Sequence, residues 1–337
     1  MPMSAPNSAY VRNAWYMAAW AEEVPEDGLF ARKLLDKPWL LMRLADGSFA
    51  MLADRCPHRF ALLSMGERVG DTVRCGYHGL GFDAVGKCVH NPFGGAPPEA
   101  ARVASLPVVE RHGALWFWPG DVALADPALI PDFAICTGPE HLRDRFTMQA
   151  NYEYVTDNLM DLSHAEFIHK GSFGTNGTLL IYGKQTVLTE DDGAIWNNWD
   201  ILQAEPPEWA KPMLGEGVRI NQTLHIRWHA PATMALFITL ENAQSGTAIV
   251  PPMANPHIIT PETQGSSHYF FTREHGDEAE AMFRKAFLEE DEPMVEAIHA
   301  ALGDEDFWDA RPVILPTDAA AIRTRRRLMQ LRRLEAG

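Results

Sequence analysis

The spacing of apolar and polar positions changes character near residue 135. Before that point the runs are short. WLLMRLADGSFAMLAD splits into two apolar stretches around Asp46-Gly47, a β-hairpin pattern, and further strand-like runs flank VHNPFGG and end in GALWFWPG. Between Pro57 and Pro131, glycine and proline recur too often for helices to extend. The first third is therefore expected to be mostly β.

Beyond residue 135 the runs lengthen. Tyr152, Val155, Leu159 and Leu162 recur at helical spacing, which predicts a helix from about Tyr152 to His169. LTEDDGAIWNNWDIL, LHIRWHAPATMALFITLEN and HYFFTRE read as strands of a large antiparallel sheet. A second helix is predicted from about Glu278 to Leu302 and a third from Thr317 to Leu334. The expected fold class is α+β, with an all-β domain over residues 1–135 and a domain of sheet and covering helices over 136–337.

Charge and leader signals narrow the partners. A formal charge of −16 opposes a polyphosphate backbone, so nucleic acid is not an expected partner. MPMSAPNSAY lacks the basic and apolar regions of a signal peptide, and no apolar run is long enough to span a bilayer. The expectation is a cytoplasmic protein with no membrane partner. The arginines of the last helix, among them Arg325 and Arg332, read as a solvated face, with docking of an acidic reductase as the lesser reading.

Four cysteines are too few and too scattered for a disulfide framework. Two of them, however, sit in matching knuckles, CPHRF and CGYHGLGF, which offer Cys56, His58, Cys75 and His78 with sixteen residues between the pairs. Two thiolates and two imidazoles suit either a tetrahedral zinc ion or a Rieske 2Fe-2S cluster, in which the cysteines hold one iron and the histidines the other. Zinc sites usually pair like with like, and each knuckle here is mixed. Gly76, Gly79 and Gly81 fit a loop whose backbone comes close to the cluster. Cys88 and Cys136 read as small buried hydrophobes.

NYEYVTDNLMDLSHAEFIH supplies Asn158, Asp161, His164 and His169. Two histidines and one distant carboxylate form the facial triad that leaves positions open on Fe(II). Residues five apart on an α-helix differ by about 140° in direction, so the helix must distort between His164 and His169, through a π-type bulge or an ending near Phe167. For the third ligand, Asp291 falls inside the apolar stripe of Phe283, Phe287, Met294, Val295, Ile298 and Leu302, while Glu289 and Glu292 face away. Glu290, at the edge of the stripe, is the alternative, and Pro293 kinks or starts the helix there.

With both motifs in view, the chain resembles the oxygenase components of Rieske non-heme iron oxygenases, and within them the O-demethylating branch of vanillate O-demethylase and dicamba monooxygenase. YVRNAWYMAAW, CPHRF, YHGLGFD, DNLMDLSHAEFIH and ITPETQGSSHYFF carry the resemblance over essentially the whole chain. It implies a Rieske domain followed by a helix-grip catalytic domain, a 2Fe-2S cluster, a mononuclear Fe(II), and O2 as cosubstrate. It also implies electrons from NAD(P)H through a separate flavin and iron-sulfur reductase or ferredoxin, and a small aromatic substrate that loses an O-methyl group as formaldehyde. No glycine-rich dinucleotide fingerprint is apparent in the chain itself.

The resemblance further implies a head-to-tail homotrimer, in which Asp161 bridges His164 of one subunit and His78 of the next, and catalytic roles for Asp161 and Asn158. His229 and His257 resemble substrate-binding positions, although each reads equally as a satisfied sheet histidine. Ring dihydroxylation and, in a different class, a pure Rieske electron carrier are the rival functions.

Overall fold

The computed structural model describes residues 9–134, 137–138, 141–170, 172–175, 177–207, 210–303 and 305–336. Ile135 and Cys136, where the sequence suggests a domain boundary and a buried thiol, lie outside the described residues, as does most of the N-terminal segment. The chain forms two compact units. One runs to Pro131 and takes in Thr260–Thr263; the other comprises Asp132–Ile259 and the chain from Gln264 onward.

The first unit is built of strands and single 3-10 turns among its described residues. Its strands are β1 (Tyr16–Trp20), β2 (Phe30–Leu34), β3 (Lys37–Arg43), β4 (Phe49–Ala53), β5 (Glu67–Val69), β6 (Thr72–Arg74), β7 (Gly81–Phe82), β8 (Cys88–His90), β9 (Ser105–Leu106), β10 (Val108–Arg111) and β11 (Ala114–Phe117). They form three sheets, ordered β1-β11-β10, β2-β3-β4-β9 and β5-β6-β7-β8. The Asp46-Gly47 hairpin joins β3 to β4, with Gly47 at φ +87 where a side chain would be strained. Leu40, Met42, Leu52, Leu63, Val73, Leu80 and Phe82 pack into one core with Cys56, Cys75 and Cys88. Thr260–Thr263 joins this unit through hydrogen bonds from the amides of Leu35 and Asp36 to the carbonyls of Pro261 and Glu262, and from the Thr260 hydroxyl to the carbonyl of Met17. The division into 1–135 and 136–337 expected from the sequence has no place for a segment returning so late in the chain.

The second unit holds β12 (Leu142–Met148), α1 (Tyr152–Met160), α2 (Ala165–Ile168), α3 (Thr178–Tyr182), β13 (Gly183–Thr189), β14 (Ile195–Ala204), β15 (Ile220–His229), β16 (Thr233–Asn242), β17 (Ala248–Pro261) and β18 (Ser267–Arg273). It continues with α4 (Asp277–Phe283), a π-helical stretch Arg284–Asp291, α5 (Glu292–Leu302) and α6 (Ala319–Ala336). Seven antiparallel strands run in the order β12-β18-β17-β16-β15-β14-β13. The expected α+β class, a β domain followed by a large antiparallel sheet with helices, is what the chain adopts. Alternation along β14 buries Ile195, Asn197, Trp199 and Ile201 on one face. Asn197 donates from that face to the carbonyl of Met160 at 2.7 Å, which fixes the end of α1 against the sheet. Among the described residues no helix is long and apolar enough to cross a membrane.

Three expectations need correction. The segment from Tyr152 to His169 is not one helix: α1 stops at Met160, Asp161 leaves helical geometry at φ −114 and ψ 86, and a 3-10 turn Leu162–His164 leads into the four residues of α2. The π-type winding sits instead in the segment that carries Asp291. There i→i+5 bonding advances each residue by less than 100°, so the apolar stripe loses phase and Met294 and Ile298 emerge 49% and 44% exposed. Pro293 stands in the first turn of α5, directly after the π-helical stretch and without breaking the helical path. Finally, the arginines of α6 are not all solvated. Arg325 is buried, ion-paired with Glu153 and Asp157 of α1, and its guanidinium lies 3.9 Å from the centre of the Phe307 ring.

Candidate cluster and iron sites

The two knuckles of the first unit fold alike. The amide of Cys56 donates to the carbonyl of Ala61 and that of Cys75 to Leu80, each at 2.8 Å, while Phe60 and Gly79 donate back to the cysteine carbonyls at 2.9 Å. The fifth residue of each knuckle is left-handed, Phe60 at φ +62 and Gly79 at φ +73. Glycine meets that demand without strain; Phe60 is held there with its ring 4.1 Å below the Arg55 guanidinium. The other knuckle glycines answer to crowding. A Cβ on Gly76 would stand 2.8 Å from the carbonyl oxygen of Met65, and one on Gly81 would stand 2.9 Å from the Cβ of His90.

Both thiols are buried in the apolar core, whereas His58 is exposed and His78 half-exposed, with ring centres 4.6 Å apart. Burial, with the neighbouring Cys75 adding to it, pushes the Cys56 thiol up, so a thiolate pair there needs cationic partners. An inner pair of sulfurs and an outer pair of imidazoles fit a cluster whose two irons have different ligands.

In the second unit the break at Asp161 solves the directional problem of the two histidines. His164 ends the 3-10 turn and His169 follows α2, and their Nε2 atoms lie 3.3 Å apart. Asp291 closes the triangle, with Oδ1 3.5 Å from the Nε2 of His164 and Oδ2 3.3 Å from that of His169. Ligand atoms set at right angles about 2.1 Å from a divalent ion stand about 3 Å apart, so the three side chains fit one face of a metal ion. Burial pulls the His169 imidazole down, but Asp291 and Glu290 outweigh it and the net shift is upward. That electronegative setting favours a cation.

The residues around the triad divide the supporting work. Asn158 Nδ2 donates to Asp291 Oδ1 at 3.0 Å and restrains the carboxylate. Asp161 touches His164 through its backbone: its carbonyl faces the ring Nδ1, while its Oδ1 accepts from the amide and hydroxyl of Ser163 at 3.1 and 2.6 Å and caps the turn. Glu290, weighed from the sequence as a rival ligand, stands on the outer side of His169, with Oε2 2.8 Å from Nδ1. Ser172 donates to the same oxygen at 2.5 Å. Neither that role of Glu290 nor the Arg325 clamp was foreseen, since both depend on partners more than a hundred residues away.

The two strand histidines part company. Trp228 pairs with Met234, and Met234 with His257, so these three side chains share one face of the sheet. Ile195 pairs with Trp228, so this is also the face on which Asn197 meets α1. His257 is buried there, with its Nδ1 2.6 Å from the Tyr269 hydroxyl, its ring 5.7 Å from that of Phe287, and its Nε2 without a partner among the described residues. His229 is one residue beyond Trp228 and therefore points to the opposite face, where Nε2 meets Asp192 at 3.3 Å. His229 and His257, read together from the sequence as substrate-binding positions, therefore stand on opposite faces of the sheet, and of the two only His257 shares the face of Asn197.

A cluster cradle in one unit and an open three-ligand site in the other together define the class of Rieske non-heme iron oxygenases. Family models match accordingly: a Rieske [2Fe-2S] domain over residues 14–107 and a vanillate O-demethylase oxygenase C-terminal domain over residues 148–334. The dicamba O-demethylase oxygenase component of Stenotrophomonas maltophilia is 40% identical over 97% of this chain and 99% of its own. The chloroacetanilide N-alkylformylase oxygenase component of Rhizorhabdus wittichii is 32% identical over 95% of this chain and 94% of its own. The crystal structure of dicamba monooxygenase bound to dicamba superposes with a TM-score of 0.84 at 37% identity, covering 97% of this chain and 99% of that one. The chain belongs to the Rieske oxygenases that carry the vanillate O-demethylase type of C-terminal domain, and its cofactors are a 2Fe-2S cluster and a mononuclear iron. Zinc, open on the knuckles alone, is set aside by that match.

Proposed function

We propose that this protein is the oxygenase component of an O-demethylating monooxygenase acting on a methoxylated aromatic acid or phenol. The observation that carries the reading is the convergence of His164, His169 and Asp291, whose ligand atoms all lie within 4.8 Å of one another. In this reading Cys56 and Cys75 hold one iron of the cluster, His58 and His78 the other, and the triad holds the mononuclear iron. When bound, those groups supply electrons and oxygen activation. The reaction consumes one O2, two electrons and two protons per methyl group; one oxygen atom enters the methyl C–H bond and the other leaves as water. The hemiacetal that results breaks its O–CH2 bond to give a phenol and formaldehyde.

The protein's own side chains position the substrate. Burial depresses His257 to about 4, so the ring is neutral at pH 7, and burial, with Asp291 adding to it, keeps the Tyr269 phenol protonated. Tyr269 then donates to Nδ1, which leaves the proton on Nε2, and Nε2 serves as donor to a carboxylate or phenol oxygen of the substrate. Phe287 and Trp228 offer apolar surface on the same side.

The test is a formaldehyde-release screen over methoxylated benzoates and phenols, with N-alkyl aromatics included because one relative is an N-alkylformylase. The assay needs NAD(P)H and a flavin and iron-sulfur reductase or ferredoxin as electron source. A cis-dihydrodiol product instead of formaldehyde would replace demethylation by ring dihydroxylation, and substrate-independent electron transfer without O2 uptake would reduce the chain to a carrier.

A cytoplasmic head-to-tail trimer goes with this reading, with the carboxylate of Asp161 reaching His78 of the next subunit and so linking cluster to iron. Asp161→Asn can still cap Ser163 through its amide oxygen but loses the charge. Both metals should stay bound, and reoxidation of the chemically reduced cluster by O2 with substrate present should slow by orders of magnitude. Reoxidation at the wild-type rate would remove Asp161 from the electron path.

A further inference from the structure

We propose that Glu290 is a positioning residue for the mononuclear iron, holding His169 so that Nε2 faces the metal, and that Ser172 in turn holds Glu290. The inference rests on the reading of His164, His169 and Asp291 as the iron ligands and goes one shell beyond it. A carboxylate only accepts hydrogen bonds, so its approach to His169 Nδ1 at 2.8 Å places the ring proton on Nδ1 and leaves the Nε2 lone pair for the metal. The same oxygen accepts from Ser172 Oγ at 2.5 Å, so a residue just past the ligand fixes the group that orients it.

The geometry makes the two histidine ligands unequal. His164 offers its Nδ1 to a neutral peptide carbonyl, that of Asp161, and His169 offers its own to an anion. The contact with the anion is the more shielded, the side chains of His169 and Glu290 being 7% and 14% exposed against 19% for His164. Consecutive residues of the π-helical stretch bracket one imidazole: Glu290 meets Nδ1, and Asp291 meets Nε2 at 3.3 Å. A carboxylate behind a metal-binding imidazole makes it more basic and fixes its rotation, so His169 is the stronger donor and its anchoring governs how tightly the site holds metal.

The experiment is a titration of Co(II), followed by its visible absorption, into full-length protein depleted of mononuclear iron but retaining the cluster. Glu290→Ala should weaken binding about 10- to 100-fold, and Glu290→Gln, which keeps an acceptor oxygen without the charge, should fall between it and the wild type. Ser172→Ala should follow in the same direction with a smaller loss. The cluster's electron paramagnetic resonance and the thermal unfolding of the metal-depleted Gln variant should match the wild type, which a merely structural role would not predict. Wild-type affinity in both Glu290 variants, with Asp291→Ala losing the metal, would overturn the positioning role and leave the triad intact. Wild-type affinity in Asp291→Ala would overturn the triad reading itself, and the inference with it.

Discussion

Arg325 Nε stands 2.9 and 2.7 Å from the two carboxylate oxygens of Asp157, joining the last helix to the helix that leads into the first two proposed iron ligands, His164 and His169. A second arginine, Arg332, joins the same clamp through Glu153 and the Tyr152 hydroxyl. Removing one partner of a buried pair leaves the other charge unpaired at a cost of about 3–5 kcal/mol. Arg325→Met should therefore lower the unfolding free energy by roughly that amount, measured by urea denaturation, and lower the mononuclear iron content while the cluster spectrum survives. Arg325→Lys should fall between, because an ammonium cannot reproduce the two-pronged contact. Full stability in Arg325→Met would show that the clamp does not anchor α1.

His257 gives the fold a pH dependence of known sign. Its pKa falls from 6.5 when unfolded to about 4 when buried, so the unfolded chain takes up a proton that the folded state refuses. The stabilisation is complete above pH 6.5 and is lost as pH falls toward 4, by roughly 3 kcal/mol over the full interval. Denaturant titrations at pH 7 and pH 5 should give a smaller difference for His257→Asn than for the wild type. An equal difference in the two proteins would mean that His257 does not titrate as a buried ring.

The opposite faces of the sheet separate the two strand histidines in kinetics. His257→Ala should raise KM for the methoxylated substrate, or lower kcat/KM, by about 10- to 100-fold, the effect of leaving a substrate polar group unpaired. His229→Ala should leave kcat/KM within about twofold, since Nε2 meets Asp192 on the other side of the sheet. The reverse ranking would show that substrate approaches the wrong face for this assignment.

For the cluster, the expectation is brown protein with labile sulfide and the electron paramagnetic resonance of a reduced Rieske centre. That signal should vanish in His58→Ala or Cys75→Ser, because each removes one of four ligands. Stoichiometric zinc without labile sulfide would contradict the expectation.

How much of this was legible in the sequence depended on range. Mixed Cys-His knuckles are local, and so are the Asp46-Gly47 hairpin and the strand runs, so the β unit and the candidate cluster residues could be read from neighbouring positions. Asp291 was singled out because a carboxylate inside an apolar stripe is anomalous, and it is indeed buried. Yet two of the six residues of that stripe, Met294 and Ile298, are exposed, since a wheel drawn at 100° per residue cannot register a π-helical stretch. That His229 and His257 take opposite faces was illegible for a different reason: a shift of one residue in a strand exchanges its faces, and composition carries no trace of which face a histidine takes. Arg325 looked like part of a solvated run because its partners, Glu153 and Asp157, precede it by some 170 residues.

The π-helical stretch Arg284–Asp291 also bears on how such a site can vary by descent. Its i→i+5 winding holds an extra residue compared with an α-helix, so loss of a single codon between Lys285 and Leu288 would let it close as an ordinary helix. Eight residues at the smaller π-helical advance turn about as far as seven at 100°, so everything from Glu290 onward would keep nearly its direction around the axis and both carboxylates would stay on the side of the histidines. Segment length in this region can therefore change by one residue at less cost to the site than in the α-helices on either side of it.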